Sequence, residues 1–507
     1  MSERVRHSIG YRLVLGCALA ALSAILLTLS SPPYHQGWLV WLALVPMVVA
    51  EYRVLPTSWS SLAPAIAIGG FMHGYFFGFF PDRAAWYMKA LPVLVTVLVF
   101  VMSRGERARR DRLGYAFLPI SAATTWVVIE FARMPLVGSW GFLGYALYGE
   151  AWLLQPVRIF GVFGLDLLIV IGNYAMGTAI VAWLDHRGVF AAPVRVVPRH
   201  AVLWCGGVLL ALGAWCAPGL VAREGAEPTV RIAVLQPGLR RKDAGDTPES
   251  RDRAMLDRLT AQTRDAARRG AQLVVWPEGA LGRDPSVAYR PELAQLARES
   301  ALRIVVGYAV ATPAGLRNEL VTVDPRGEFV GRYGKDHPVT FLGETSIWRG
   351  TYPTVDAPFG TMGAMICYDL DFTDTARRLA RRGAKVIAVP SADWPAAAAK
   401  HFTFAVFRAL ETGAVIAKSE YNRDSVIVDG YGRIHASRVT PAGSEAILVA
   451  DVPLRAGMPL ATRLGDWIGW LCVVGLVGRT LWRLRVARRP RQNVSADVLV
   501  SPRPQSA

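Results

Sequence analysis

Cys367 ends the run Gly363-Ala364-Met365-Ile366-Cys367-Tyr368-Asp369, an apolar segment that stops at a thiol followed by polar residues. That pattern fits a nucleophile exposed at the end of a buried strand, and equally a buried core thiol. The other four cysteines, Cys17, Cys205, Cys216 and Cys472, lie inside hydrophobic stretches. There a thiol is a small apolar filler, so the soluble part has no disulfide framework. Two more reactive groups stand at comparable places. Glu278 closes the apolar run Gln272-Leu273-Val274-Val275-Trp276, and Lys335 lies just beyond Phe329-Val330-Gly331-Arg332-Tyr333. The three types are chemically complementary. A thiol attacks as thiolate and needs a base, which a carboxylate in a partly dry pocket can be; an ammonium then stabilises the oxyanion of the tetrahedral intermediate. Lysine is scarce, with six among 56 basic residues. A lysine kept at a strand exit in so arginine-biased a chain suits a need for a compact charge, the alternative being a solvated strand-end lysine.

The elements that must position these groups alternate between helix and strand. Residues 249–269 have helical spacing and end at Gly270, a C′ glycine, and 272–276 read as a short buried strand. Pro291 opens a helix at a first-turn position, and 303–310 read as strand. Residues 318–334 read as a hairpin around Asp324-Pro325-Arg326-Gly327, where proline second and glycine fourth suit a type I turn. Strand 363–366 delivers Cys367, a helix ends at Gly383, 385–389 is strand, 400–412 is helix ending at Gly413, and strands at 415–421, 425–429 and 446–452 complete the unit. Glu278, Lys335 and Cys367 all fall at or just past strand ends, the usual edge for functional groups in an α/β sheet.

At 507 residues the chain exceeds one hydrophobic core. Its positive mean hydropathy of 0.29, with 16 Trp and 19 Phe, points to a membrane. Apolar stretches near bilayer-spanning length lie at about 11–30, 37–51, 60–80, 89–103, 114–132, 161–184, 201–220 and 466–483, which predicts a polytopic α-helical protein of about eight spans with an α/β domain inserted before the last. The net charge of +17 is not clustered on the soluble unit, so nucleic acid is not an expected partner. Arg4, Arg6 and Arg12, then Arg104, Arg107, Arg109, Arg110 and Arg112, then Arg187, Arg195 and Arg199, then Arg483, Arg485, Arg488, Arg489 and Arg491 all fall on one side of eight spans. The positive-inside rule puts that side in the cytoplasm and the soluble domain outside. Glu130 is a candidate intramembrane charge with Arg133, one turn away, as a possible partner.

These residues carry a family resemblance. Val274-Val275-Trp276-Pro277-Glu278-Gly279-Ala280-Leu281, Tyr333-Gly334-Lys335-Asp336-His337 and Ile366-Cys367-Tyr368-Asp369 resemble, in order, the Glu, Lys and Cys motifs of the nitrilase superfamily. The whole architecture is similar to the apolipoprotein N-acyltransferases. Trp126 to Arg133, Trp140 to Tyr145, Gln155-Pro156 with Gly161 and Gly164, Phe407 to Gly413, and Gly465-Asp466-Trp467 resemble further motifs of that family. Three segments depart from it. His337-Pro338-Val339-Thr340-Phe341-Leu342-Gly343-Glu344 is one residue longer than usual, with Glu344 the best match to a second functional glutamate; Asp369 stands where glutamate commonly follows Cys-Tyr; and Ser391-Ala392-Asp393-Trp394-Pro395 is shortened.

The resemblance implies a nitrilase-like αββα sandwich with Glu278, Lys335 and Cys367 as catalytic residues, Glu344, Tyr368, Asp369 and Trp394 as supporting or substrate-binding residues, and no cofactor or metal. It implies a membrane domain at 1–226 with about seven helices, an extracytoplasmic catalytic domain at 227–456, a last helix at 457–484 and a basic, disordered cytoplasmic tail at 485–507. Its partners would be a phospholipid acyl donor and diacylglyceryl apolipoproteins in a bacterial cytoplasmic membrane. The implied reaction is acyl transfer to the lipoprotein α-amine through a Cys367 thioester. A membrane-bound nitrilase-type amidase and a non-catalytic lipoprotein-binding homologue remain alternatives. Phe341, Leu342, Ile347, Trp348, Trp394 and Pro395 are expected on loops around the site.

Overall fold

The computed structural model describes residues 8–78, 86–190, 194–221, 227–340, 343–440 and 443–487. Each predicted apolar stretch is helical, in order Ile9–Ser30, Gly37–Val54, Leu62–Phe76, Leu91–Ser103, Leu118–Val137, Val157–His186, Pro198–Val221 and Trp467–Ala487. Gly37–Val54 is a chain of short helical turns rather than one regular helix. Among the described residues, five of these elements are long and apolar enough to cross a membrane, namely Ile9–Ser30, Gly37–Val54, Leu118–Val137, Val157–His186 and Pro198–Leu220. Leu62–Phe76 and Leu91–Ser103, at 15 and 13 residues, are shorter than the roughly 20 residues that span a bilayer unaided. The broad exposed apolar faces, such as Val202, Leu203, Leu209 and Leu210, are what a helix facing lipid presents. The chain is a membrane protein.

The second half is a two-sheet sandwich. Its strands are β1 (Thr229–Pro237), β2 (Leu273–Val275), β3 (Arg303–Thr312), β4 (Gly315–Val323), β5 (Phe329–Gly334), β6 (Glu344–Thr345), β7 (Thr354–Ala357), β8 (Gly360–Ala364), β9 (Val386–Pro390), β10 (Val415–Ser419), β11 (Asp424–Val428), β12 (Ile434–Val439) and β13 (Glu445–Pro453). One sheet runs β13-β1-β2-β3-β4-β5 with β6 beside β4, and the other β12-β11-β10-β9-β8-β7. The sheets pack through β1, β2 and β3 against β9 and β10; helices Pro248–Arg268 and Arg290–Ser300 cover the first sheet, and Asp374–Arg381 and Pro395–Thr412 the second. The order is αββα. Strand β1 is absent from the sequence-based expectation. Its apolar run Ile232-Ala233-Val234-Leu235 is short enough that periodicity alone does not separate buried strand from helix.

Local chemistry explains the elements that matter for the site. Thr247 and Ser250 form a reciprocal cap on Pro248–Arg268, and Gly270 takes a left-handed φ of 78°. At the β4–β5 turn Asp324 Oδ1 accepts from the N–H groups of Arg326 and Glu328, each at 2.9 Å. That turn pairs Glu319 with Gly334, so Lys335, whose N–H donates to Asn318 O at 3.0 Å, emerges opposite Asn318. Strand β2 is parallel to β1 and β3, and β9 is parallel to β8 and β10. The carboxyl ends of these strands therefore open on one edge, where ligand sites of such sheets form.

The membrane helices and the sandwich are joined by buried polar contacts. Ser139 N–H and Oγ both donate to Asp371 O, at 3.0 and 2.7 Å, and the Trp140 ring N–H donates to the Asp371 carboxylate. Helix Val157–His186 breaks at Gly161 (φ 65°, ψ −179°), which frees Val162 N–H to donate to Glu411 Oε1 at 3.1 Å. A Cβ on Gly138, itself at φ +68°, would lie 2.6 Å from the Asp371 Cβ, so the two parts meet backbone to side chain. Arg133 does not pair with Glu130. Its guanidinium donates to Gly138 O and Trp140 O and lies over the Phe142 ring, while Glu130 accepts from the Trp126 ring at 2.8 Å.

Candidate active site

Glu278, Lys335 and Cys367 converge at the shared edge. The backbone turns at Trp276-Pro277 after β2, and Glu278 N–H donates to Ser391 O at 3.3 Å. Lys335 Nζ stands between two carboxylates, 2.8 Å from Glu278 Oε1 and 2.8 Å from Glu344 Oε2. Asn318 donates to both glutamates, and Val339 N–H donates to Glu344 Oε2 at 2.9 Å. Glu344 reaches this position because β6 pairs with β4, Leu316 opposite Glu344.

Cys367 opens a tight turn over Cys367–Asp371 with a φ of 43°. A side-chain-bearing residue in that region is strained, and such strain persists where the surrounding structure enforces it. Asp369 supplies the enforcement. Fully buried, it accepts from Ile366 N–H (2.9 Å), Tyr333 OH (2.7 Å) and His337 N–H (2.8 Å). Tyr368 packs edge-on against Phe372. Trp394 caps the start of Pro395–Thr412. Ile347 and Trp348 are exposed, with Arg332 over the Trp348 ring; Phe341 and Leu342 lie outside the described residues.

Burial governs the electrostatics. It raises the Glu278 carboxyl, with the Glu344 charge adding to the rise and Lys335 opposing it. Burial would strip the Lys335 proton, but the facing Glu278 and Glu344 charges outweigh it and hold the ammonium well above its usual range. Burial, then the negative charges of Glu278 and Asp393, drive the Cys367 thiol up, against the pull of Lys335 and the Ala392 N–H. The resting site thus holds a neutral thiol, a permanent cation and a carboxylate strengthened as a base.

Asp393, His401, Lys418 and Asn318 escape sequence reasoning. Asp393 stands 3.5 Å from Cys367 Sγ. His401 Nδ1 lies 2.8 Å from Asp393 Oδ2 and its Nε2 lies 2.9 Å from Asp371 Oδ1, and Lys418 Nζ is 2.8 Å from Asp393 Oδ2. With both imidazole nitrogens on carboxylates and Lys418 on Asp393, this group is an ion-pair network.

Residues 231–458 match the carbon-nitrogen hydrolase family model, and residues 23–175 match the apolipoprotein N-acyltransferase N-terminal domain. The apolipoprotein N-acyltransferase of Geobacter metallireducens is 28% identical over 504 residues, covering 90% of this chain and 93% of that protein. The enzyme of that name from Gloeobacter violaceus is 25% identical over 527 residues, covering 95% and 97%. Along nearly its whole length the chain is similar to proteins named apolipoprotein N-acyltransferase. It is also similar to an amidase from Nesterenkonia sp., 24% identical with a TM-score of 0.37, covering 46% of this chain and 94% of that one. The motifs that mark the N-acyltransferase resemblance outside the sandwich, Trp140, Tyr145, Gln155, Gly161 and Asp466, are residues that dock membrane helices onto it. Gln155 donates to Tyr431 O at 2.9 Å, Tyr145 stacks on Phe404 with centroids 4.4 Å apart, and Asp466 pairs with Arg377 at 2.6 Å.

Proposed function

We propose that the chain moves an acyl chain from a membrane phospholipid to the α-amine of a diacylglyceryl-cysteine at a lipoprotein N-terminus, with Glu278, Lys335 and Cys367 as its catalytic residues. The observation that carries this reading is Lys335 held between Glu278 and Glu344 at 2.8 Å from each, beside a strained cysteine on a unit docked to membrane helices. Both substrates are lipids, so diffusion within the bilayer brings them to one site. Eight spans, with residues 227–456 on the extracytoplasmic face, a last span at 457–484 and a cytoplasmic tail, give the anatomy this chemistry needs.

In the first half-reaction Glu278 takes the Cys367 proton as sulfur attacks the ester carbonyl carbon. The electron pair of the C=O bond moves to oxygen, which Lys335 stabilises as the oxyanion. Collapse breaks the ester C–O bond, the proton on Glu278 passes to the departing lysophospholipid oxygen, and a thioester remains on Cys367. In the second half the lipoprotein amine attacks the thioester carbon, gives its proton to Glu278, and expels the Cys367 thiolate, which is reprotonated as the amide leaves. Water as acceptor would instead make this an amidase-like hydrolase.

Mass spectrometry of purified protein incubated with phospholipid alone tests the reading. One acyl group should accumulate on Cys367 with one equivalent of lysophospholipid, and turnover should stall until a diacylglyceryl-cysteine peptide is added. Continuous fatty-acid release without an amine identifies a hydrolase, and absence of any adduct under any condition favours a non-catalytic lipoprotein-binding homologue.

A further inference from the structure

The sulfur of Cys367 has a carboxylate neighbour outside the triad. Asp393, three residues past β9, sets Oδ1 3.5 Å from Sγ, a contact in which the thiol donates. Its other oxygen faces His401 Nδ1 and Lys418 Nζ, each at 2.8 Å, with Ser391 Oγ at 3.3 Å. From His401 the path continues through Nε2 to Asp371 Oδ1 at 2.9 Å, and from the Asp371 carboxylate to the ring N–H of Trp140. The Trp140 and His401 rings also stack, with centroids 5.7 Å apart. Asp371, Asp393, His401 and Lys418 are at most 3% exposed. A path of hydrogen bonds, completed at His401–Asp371 by an ion pair, thus runs from the nucleophile to the loop after Leu118–Val137.

We propose that Asp393 is a positioning residue for Cys367, holding the resting thiol by its S–H group, and that His401 and Trp140 hold Asp393 in that pose against the membrane helices. This inference rests on Cys367 being the nucleophile. Asp393 is suited to acceptor rather than base. Burial would raise its carboxyl, but His401 and Lys418 outweigh burial and hold it well below the carboxylate range. His401, which burial would deprotonate, is pushed up to about 10 by Asp393 and Asp371. Lys418 is anchored from its other side by Asp424, with Glu420 also acting on it. The sulfur therefore faces two carboxylates, Glu278 and Asp393, together with Lys335 and the Tyr368 ring, and Asp393 is the one held firmly ionised. A fixed anion beside a thiol keeps it neutral, and the neutral thiol is the form that resists oxidation and alkylation. When an ester occupies the site, the S–H group swings from Asp393 to Glu278; the S–H bond breaks with its proton passing to Glu278, and its electron pair forms the new S–C bond.

The test is the pH dependence of iodoacetamide alkylation at Cys367, read by mass spectrometry of its peptide in the full-length protein in detergent micelles. Asp393→Asn removes the anion and should move the alkylation midpoint down by about one pH unit, or about tenfold more thiolate below both midpoints, while lowering kcat for acyl transfer. His401→Gln removes a cation from Asp393 and should move the midpoint up. Trp140→Phe leaves the charges in place and should lower kcat with the midpoint unchanged. Opposite shifts for Asp393→Asn and His401→Gln support the proposal, because general loosening of the site would move both in one direction. An unchanged or raised midpoint in Asp393→Asn, or shifts of the same sign, overturns it. If Asp393→Asn does not fold, the upward shift in His401→Gln decides, an unchanged midpoint there counting against the proposal. Unchanged kcat in Trp140→Phe overturns the tether.

Discussion

Arg377 Nη2 lies 2.6 Å from Asp466 Oδ1, joining the helix that follows the nucleophile to the residue that opens the last membrane helix. Thr373 Oγ1 donates to the other Asp466 oxygen at 2.7 Å, and Glu411 stands 3.6 Å from the same guanidinium. Arg377 is buried and the Asp466 side chain is 13% exposed, so removing Asp466 leaves a buried guanidinium with only the more distant Glu411, at a cost of up to about 3 kcal/mol. Asp466→Leu should lower the thermal midpoint in detergent by several degrees.

Lys335 should tolerate no substitution. Lys335→Arg places a planar fork where a compact ammonium meets two carboxylates and should lower kcat by about 10²-fold or more, the scale of losing one oxyanion donor. Cys367→Ala should abolish the acyl adduct; retained transfer in that variant would exclude the covalent route.

Glu344→Gln separates Glu344 from Glu278. The Glu344 charge contributes to the raised Glu278 carboxyl, so neutralising it lets Glu278 ionise at lower pH. The acid limb of kcat against pH should move down by less than about one unit, and the plateau should fall because the base is weaker. An upward shift of that limb would place the proton-accepting role elsewhere.

The triad is legible in the sequence because each member lies just past a strand end, Glu278 after β2, Lys335 after β5 and Cys367 after β8; the packing of the two sheets then brings these ends together. The Asp393, His401 and Lys418 group is not. Asp393 precedes a helix, His401 lies within it, and Lys418 becomes their neighbour only because β10 pairs in parallel with β9, Lys418 opposite Val389. Asn318 is hidden for a related reason. It lies inside β4 and meets Glu278 through the β3–β4 register, Asn318 opposite Ala309, while the β4–β5 register sets Lys335 beside it. Arg133 looks like a helical-turn partner for Glu130 by spacing, but the left-handed glycine at 138 folds the chain back and presents two carbonyls to the guanidinium.

Gly307 should control Glu278 without touching substrate. A Cβ there would lie 2.4 Å from Pro277 O and 2.9 Å from Glu278 Cα, contacts no real Cβ keeps, so Gly307→Ala must push the Glu278 loop outward. Displacing a catalytic group by about 1 Å costs on the order of 10²-fold in rate. The variant should fold, bind phospholipid and acylate Cys367 at a rate lowered by that factor; wild-type rates would mean that the loop yields without moving the carboxylate.

The arginine distribution makes a topology prediction that labelling can decide. Val287, on the sandwich, is 79% exposed, and Arg109 lies on Glu106–Leu113 with its side chain 44% exposed. Positive-inside bias puts Arg109 in the cytoplasm and the sandwich, three apolar helices later, on the opposite face. In intact spheroplasts a membrane-impermeant maleimide should therefore label Val287→Cys and spare Arg109→Cys, with both labelled after lysis. The native cysteines stay silent in this assay, since Cys367 is 8% exposed and the others lie in apolar helices. Labelling of Val287→Cys only after lysis would put the site in the cytoplasm. That would remove the anatomical argument for lipoprotein acylation and leave the membrane-bound amidase as the reading to pursue.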